Sequence, residues 1–329
     1  MSNHGFFSYI KVGGKMMIKE MAQTVLAEAA DFGANDIYVL PVEKGFSVVF
    51  RKSTHRYNYL LLSNADGQSL ISHFKFTAGM NVGEKRRPQL GACLYDFSGK
   101  KIRLRLSSAG DFENRESLVI RILHHVDRPL VFWFDTDLQQ VENLVTKRGL
   151  YLFSGPVGSG KTTLMHYIAK QKFSGQQVIT IEDPVEIVSP DLLQFQLNEV
   201  IGNTYDSLIK LSLRHMPDLV IVGEIRDRET ARAVMRASLT GYTVFSTIHA
   251  KSISGVDARL LELGVTREEI KNSLSGVVYQ RLIAGKGVLD SADKAFEKHT
   301  NDKWHTKIEK LVTDGHLTPS QAETEKISD

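Results

Sequence analysis

The chain has 329 residues, 42% hydrophobic and 24% charged; that is room for about two domains of roughly 150 residues each and enough apolar material for a buried core, which excludes wholesale disorder. A formal net charge of +3 leaves no electrostatic footprint of a direct nucleic-acid or anionic-membrane binder. The single cysteine, Cys93, excludes an internal disulfide and any cysteine-rich zinc site and suits a reducing cytosol; no apolar run is long enough to span a bilayer.

In chain order, residues 1–16 read as a loose N-terminal extension, because the amphipathic pattern begins only at Met17. Met21, Val25, Ala29 and Phe32 share one helical stripe that stops at Gly33. "DIYVLPVEKGFSVVFRK" predicts two strands parted by a proline and a glycine. A second helix over about residues 69–79 follows, then a loop containing "GEKRRPQLG" and the strands "KIRLRLSS" and "SLVIRIL". Residues 17–123 therefore predict an α+β domain with an antiparallel sheet. Residues 124–137 mix the adjacent His124 and His125 with proline, aromatics and aspartates and read as a linker. A helix over 138–148 opens an alternation with strands at 150–153, 178–182, 219–222 and 243–248. That alternation predicts a parallel sheet with helices on both faces over 138–290. The polar tail, 291–329, carries a capping box in "TPSQ" and leaves two readings open, a short helical hairpin or a frayed, solvated end.

The chemistry begins at "YLFSGPVGSGKTTLMHYIAK", where Gly155, Gly160, Lys161 and Thr162 satisfy G-x-x-x-x-G-K-[ST] between a strand and a helix. Glycines let successive backbone N–H groups face phosphates at a helix N-terminus. Lys161 is placed to reach the β- and γ-phosphates of a nucleoside triphosphate and Thr162 to hold Mg²⁺. Pro156, Val157, Gly158, Ser159 and Thr163 complete the cradle. Hydrolysis also needs an acid to hold the metal and one to activate water. "VITIEDPVE" ends a strand in Glu182, Asp183 and Glu186, and "DLVIVGEIRD" ends another in Gly223 and Glu224. "TVFSTIHA" ends a third in Thr247 and His249, where a histidine suits a phosphate or partner-subunit sensor. Carboxyl ends of strands form the ligand crevice of open α/β sheets.

The basic residues sort less cleanly. Lys85, Arg86 and Arg87 read as a solvated loop face. Arg103 and Arg105 alternate with Leu104 and Leu106 and so share a sheet face. Spacing alone favours ion pairing within that domain over a phosphate reached from outside the nucleotide domain.

Together these segments closely resemble the type II secretion, type IV pilus and competence-pilus assembly ATPases, over nearly all of residues 17–290. "GPVGSGKTT" looks like the family's Walker A, "TIEDPVE" its Asp box, "DLVIVGEIRD" its Walker B and "TGYTVFSTIHA" its His box. "GANDIYVLP" and "NSLSGVVYQRL" match segments of the N-terminal and nucleotide domains. The resemblance implies a RecA-like P-loop domain binding ATP and Mg²⁺. It gives Glu186 the water-activating role, Glu224 the Walker B place beside the metal and His249 the His-box place. Arg105 and Arg121, and more weakly Arg103, match arginines that the family sends to the nucleotide. The compact chain, without a tetracysteine module, looks most like the Gram-positive competence branch. That branch implies a cytoplasmic hexamer, peripheral at the inner face of the membrane. There it drives pseudopilus assembly for DNA uptake through a membrane platform protein, acting on pilin subunits indirectly, with no direct nucleic-acid contact and no zinc. Two rivals stay open: a retraction or DNA-translocating motor of the same superfamily, and a nucleotide-gated binding module with negligible turnover.

Overall fold

The computed structural model describes residues 17–52, 55–97, 100–123, 130–198 and 201–327. The expected extension, 1–16, and the linker residues 124–129 with His124 and His125 lie outside the described residues. The chain divides into two compact units, Met1–His125 and Val126–Asp329.

In the first unit, α1 (Ile18–Phe32) buries Ala22, Val25, Leu26 and Ala29, a single stripe at helical spacing, and ends on Gly33 in the left-handed region. Strands β1 (Asp36–Val42), β2 (Gly45–Lys52) and β3 (His55–Leu62), helix α2 (Asn64–Thr77), and strands β4 (Gln89–Phe97), β5 (Lys100–Gly110) and β6 (Glu116–Leu123) follow. They form a sheet in the order β3-β2-β1-β6-β5-β4, antiparallel throughout. Leu104, Leu106, Ile120 and Ile122 join the core with residues of α1 and α2. Strand alternation turns Arg103, Arg105 and Arg121 away from it.

Three local expectations change. Pro41 lies inside β1 rather than between strands, because the β1–β6 pairing stops at Val39 and the missing N–H is needed by no ladder on that side. Helix α2 starts five residues early, at Asn64, where the Ser63 hydroxyl accepts from the Asp66 N–H at 3.1 Å. Strand β4 occupies the end of the expected loop. Lys75, fully buried in α2, forms an ion pair with Glu116 and donates to the Glu84 carbonyl at 2.6 Å, which ties that loop to the helix.

The second unit runs α3 (Asp135–Leu144), β7 (Gly149–Ser154), α4 (Lys161–Lys172), β8 (Val178–Glu182), β9 (Leu193–Gln196), α5 (Tyr205–Leu213), β10 (Leu219–Ile225), α6 (Arg228–Leu239), β11 (Thr243–Ile248), α7 (Ile253–Glu262), α8 (Arg267–Ser273), β12 (Leu274–Ile283), β13 (Lys286–Ala292), α9 (Asp302–Thr313) and α10 (Pro319–Glu325). The sheet order is β13-β12-β7-β11-β10-β8-β9, parallel except for β13 against β12. Every residue of β7 and β11 is buried. Leu150 and Leu152 face one core with α6, α7 and α9, while Tyr151 and Phe153 face another with α3 and α4. Two-sided burial explains the continuous apolar runs.

The helix expected over 138–148 runs Asp135–Leu144 instead. Tyr151 sets its exit, donating to the Lys147 carbonyl at 2.8 Å and accepting from its N–H at 3.1 Å. The last residues read as linker are held by this unit: Phe132 bridges Gly287, and the Trp133 indole donates to the Ile283 carbonyl at 2.7 Å. In the polar tail, Trp304, Ile308 and Leu311 recur on one face of α9 and enter the core with Ala322 and Ile327. Lys307 reaches the buried Asp137 at 2.6 Å. Among the described residues, no helix is long and apolar enough to cross a membrane.

Candidate nucleotide-binding site

Strand β7 ends at Ser154, residues 155–160 turn back, and α4 begins at Lys161. Gly155 has φ 139°, and a Cβ there would lie 2.1 Å from the Gln280 carbonyl of β12, so the loop passes closer to β12 than any side chain permits. The buried Ser159 hydroxyl has no hydrogen-bond partner in the protein. A glycine cradle with an unsatisfied buried donor at a helix N-terminus fits a phosphate chain. Pro156, Val157 and Gly158 form its exposed lip, and Thr162 and Thr163 sit half-buried in the first turn of α4. Lys161 is buried, donating to the Gly155 carbonyl at 3.0 Å and the Pro156 carbonyl at 2.8 Å. Burial holds its amine below the ordinary lysine value, while the charges of Glu224 and Glu186 pull it back up.

The acidic and histidine strand ends converge here. The β10–β11 register slips between Val222 and Glu224, leaving Gly223 as a bulge that re-aims the next side chain. Thr247 locks the bulge by donating its hydroxyl to the Gly223 carbonyl at 2.7 Å. Glu224 then meets His249, Oε1 to Nε2, at 3.1 Å. The other ring nitrogen, Nδ1, lies 3.2 Å from the Gly155 carbonyl. Both neighbours are acceptors, so a doubly protonated ring satisfies both and a neutral ring only one. His249 thus links Glu224 to the phosphate loop.

The two glutamates of "TIEDPVE" part company. Glu182 is buried, accepting from the Thr180 hydroxyl at 2.7 Å and standing 3.8 Å from His166. Glu186 is exposed, with its charge acting on Lys161. Lys161, Glu186, Glu224 and His249 therefore belong to one electrostatic unit.

In the first unit, Arg105 lies directly opposite Arg121, which lies opposite Asp36, which lies opposite Arg51. Arg121 donates through Nε to Asp36 Oδ1 at 2.7 Å. Spacing along one strand shows no acidic partner for this face; β1 supplies one. Sequence also missed Arg226, which donates to Glu224 Oε2 at 2.9 Å. Tyr205 escaped it too: its hydroxyl is pushed up to about 12 by burial, then by Asp183. Arg226 stands two residues from Glu224 inside "DLVIVGEIRD" without being singled out there, whereas Tyr205 carries no motif and only folding brings it to this acid.

The family described as Type II/IV secretion system protein matches residues 12–313. The competence protein ComGA of Streptococcus pneumoniae is 56% identical, over 95% of this chain and 99% of the relative. The competence protein ComGA of Bacillus subtilis is 36% identical, over 81% and 76% respectively. Among solved structures, the pilus retraction motor PilT with bound ADP superposes with a TM-score of 0.71 at 23% identity, over 95% of this chain and 98% of that one, a likeness of fold. With the phosphate loop and the acidic and histidine strand ends in order on such a sheet, the chain belongs to the type II/IV secretion system protein family of ATPases.

Proposed function

We propose that this ATPase powers assembly of a competence pseudopilus for DNA uptake, as a hexamer at the cytoplasmic face of the membrane, through a polytopic platform protein that hands the motion to pilin subunits. The observation that carries the ATPase part is the meeting of Lys161, Glu224 and His249 at the carboxyl ends of β7, β10 and β11. The competence assignment rests on 56% identity to a competence protein over nearly the full length of both chains.

Residues 155–163 hold the phosphates through backbone N–H groups, the Lys161 amine and the Thr162 and Thr163 hydroxyls. Thr162 and Glu224 would hold Mg²⁺, whose chemistry is to neutralise phosphate charge. Glu186, solvent-facing and near the loop lysine, orients water and takes its proton. His249 couples Glu224 to the Gly155 carbonyl, so a change at the acid reaches the loop. Arg105 and Arg121 neutralise charge on the transferred phosphoryl group. Membership of the secretion-ATPase family supports this, while the Asp36 carboxylate that accepts from Arg121 at 2.7 Å supports the rival reading of an ion pair within the sheet.

Phosphate release by the purified protein, with and without its platform protein, tests the motor. Deletion in the source organism tests the biological role, with loss of both surface pili and DNA uptake expected. Pili that persist or accumulate would make it a retraction motor, and nucleotide binding without turnover would make it a gated module.

A further inference from the structure

A cavity of about 590 Å³ opens beside the phosphate loop, within the usual range of ligand pockets. Its walls include Gly155–Ser159, His249, the cations Lys251 and Arg281, the exposed Leu282 at the end of β12, and Glu325 at the end of α10. A triphosphate gripped by the loop must extend its sugar and base beyond it, and this space adjoins the loop. We propose that the C-terminal hairpin, α9 and α10, is the nucleoside-recognition wall of the ATP site, with Glu325 accepting a hydrogen bond from a ribose hydroxyl. This deepens the ATPase reading and rests on it.

The wall is rigid by construction. Trp304 of α9, fully buried, stacks edge-on against Tyr279 of β12 and donates its indole N–H to the Glu325 carbonyl at 2.8 Å. His305 approaches the Ile327 carbonyl at 3.0 Å. Arg281 lies 5.7 Å from the Tyr279 and Trp304 ring centroids, donates from Nε to the Tyr279 hydroxyl at 2.8 Å, and reaches Glu325 Oε2 at 3.1 Å and its carbonyl at 3.2 Å. Glu325 is thereby fixed at the cavity wall.

Charge decides what Glu325 recognises. A bare carboxylate close to a triphosphate would repel it, but Arg281 neutralises Glu325 and leaves it an acceptor. Sugar hydroxyls are the donors a nucleotide offers next beyond its phosphates, and carboxylates take ribose hydroxyls in other nucleotide folds. Leu282 beside it gives a base an apolar surface. Salt-bridge docking of α10 needs no cavity between Glu325 and the loop, and the cavity is what distinguishes recognition from docking.

The test measures steady-state hydrolysis of ATP, 2′-deoxy-ATP and 3′-deoxy-ATP by the full chain. A hydrogen bond to a charged group is worth roughly a tenfold preference or more, so the wild type should favour ATP over at least one deoxy analogue by about tenfold in kcat/KM. Glu325→Ala should erase that preference, raising KM for ATP about tenfold with the larger part of the loss in KM. Glu325→Gln, which keeps an acceptor, should retain part of the preference at wild-type melting temperature and so separates recognition from undocking. Leu282→Trp, which adds bulk to the cavity wall and leaves Arg281 and Glu325 unsubstituted, should raise KM for ATP at least as much. Equal discrimination in wild type and Glu325→Ala, a normal KM in Leu282→Trp, or faster turnover in Glu325→Ala would each overturn the proposal. Any of those results alongside an inactive Lys161→Ala leaves the ATPase reading standing; a wild type that neither binds nor hydrolyses ATP removes that reading itself.

Discussion

The two sheets of this chain place their chemistry in different parts of a strand. In the second unit, β7 and β11 bury every residue, so no mid-strand side chain can meet a ligand. The site is assembled beyond the strand ends, from a loop, a bulge and a histidine. In the first unit, β6 alternates buried and open positions, and β5 does the same around Arg105. Mid-strand guanidiniums are thereby presented in a row across neighbouring strands. Parallel sheets covered on both faces push function to their edges in the chain direction, whereas a one-sided antiparallel sheet can carry it on its surface.

The largest test of strand-end chemistry is Lys161→Ala. Both a charge and a cradle donor are lost, so phosphate release should fall to background and nucleotide binding should weaken strongly; hydrolysis near the wild-type rate would remove the loop from the mechanism. Next is the division between the two Asp-box acids. Glu186→Gln should bind ATP and turn over ~10²-fold more slowly, the scale of a lost general base. Glu182→Gln should act on stability, because its carboxylate is committed to Thr180. The reverse pattern would move the base to Glu182 and put it inside the sheet.

Surface chemistry of the first sheet is tested by Arg105→Ala and Arg121→Ala. Each should cut turnover by roughly tenfold or more, as loss of an arginine finger does, with less effect on affinity than Lys161→Ala. Lysine should rescue poorly, lacking the planar fork. Arg121→Ala should also lower the melting temperature, since Asp36 loses its partner. Melting temperature and phosphate release on one preparation decide whether this row is catalytic or only structural. Glu116→Ala should leave the strand-end chemistry alone and destabilise the first unit by about 3–5 kcal/mol, because Lys75 is left buried without its carboxylate. A thermal melt followed by circular dichroism measures it. The smallest effect on turnover belongs to Cys93. Burial pushes its thiol up to about 11, so alkylation at pH 8 should be slow and should quicken about tenfold per pH unit until that value is passed.

Elements with a local signature were legible. The phosphate loop, strands Val178–Glu182 and Thr243–Ile248 and helix Ile18–Phe32 each carry a pattern within about 20 residues. Strands β3 and β4 were not, because "HRYNYLLL" and "QLGACLYDF" mix charges and small residues in edge strands, where one missing neighbour relaxes the pattern. Lys161, Glu224 and His249 could be picked out as candidates from the phosphate loop and the strand ends, whereas the choice of Glu186 over Glu182 and Asp183 came only with the family resemblance. The Gly223 bulge, Tyr205 and Gln280 could not, since each matters through a contact that folding creates. The hairpin stays undecided in the sequence for a similar reason: its three large apolar residues are diluted among twelve in α9, and their partner surface lies on β12.

Trp304, which wedges α9 against Tyr279, and Trp133, which donates to Ile283, are the chain's only two tryptophans. Both lie in the unit Val126–Asp329. Excited near 295 nm, where tyrosine hardly absorbs, the protein therefore emits from one unit alone. A fluorescence melt follows the ATPase unit, ellipticity follows both, and the difference between the curves isolates the arginine-bearing sheet without a label. Emission at its native wavelength while part of the ellipticity is lost would mark a state in which the ATPase unit stands folded and the first unit does not.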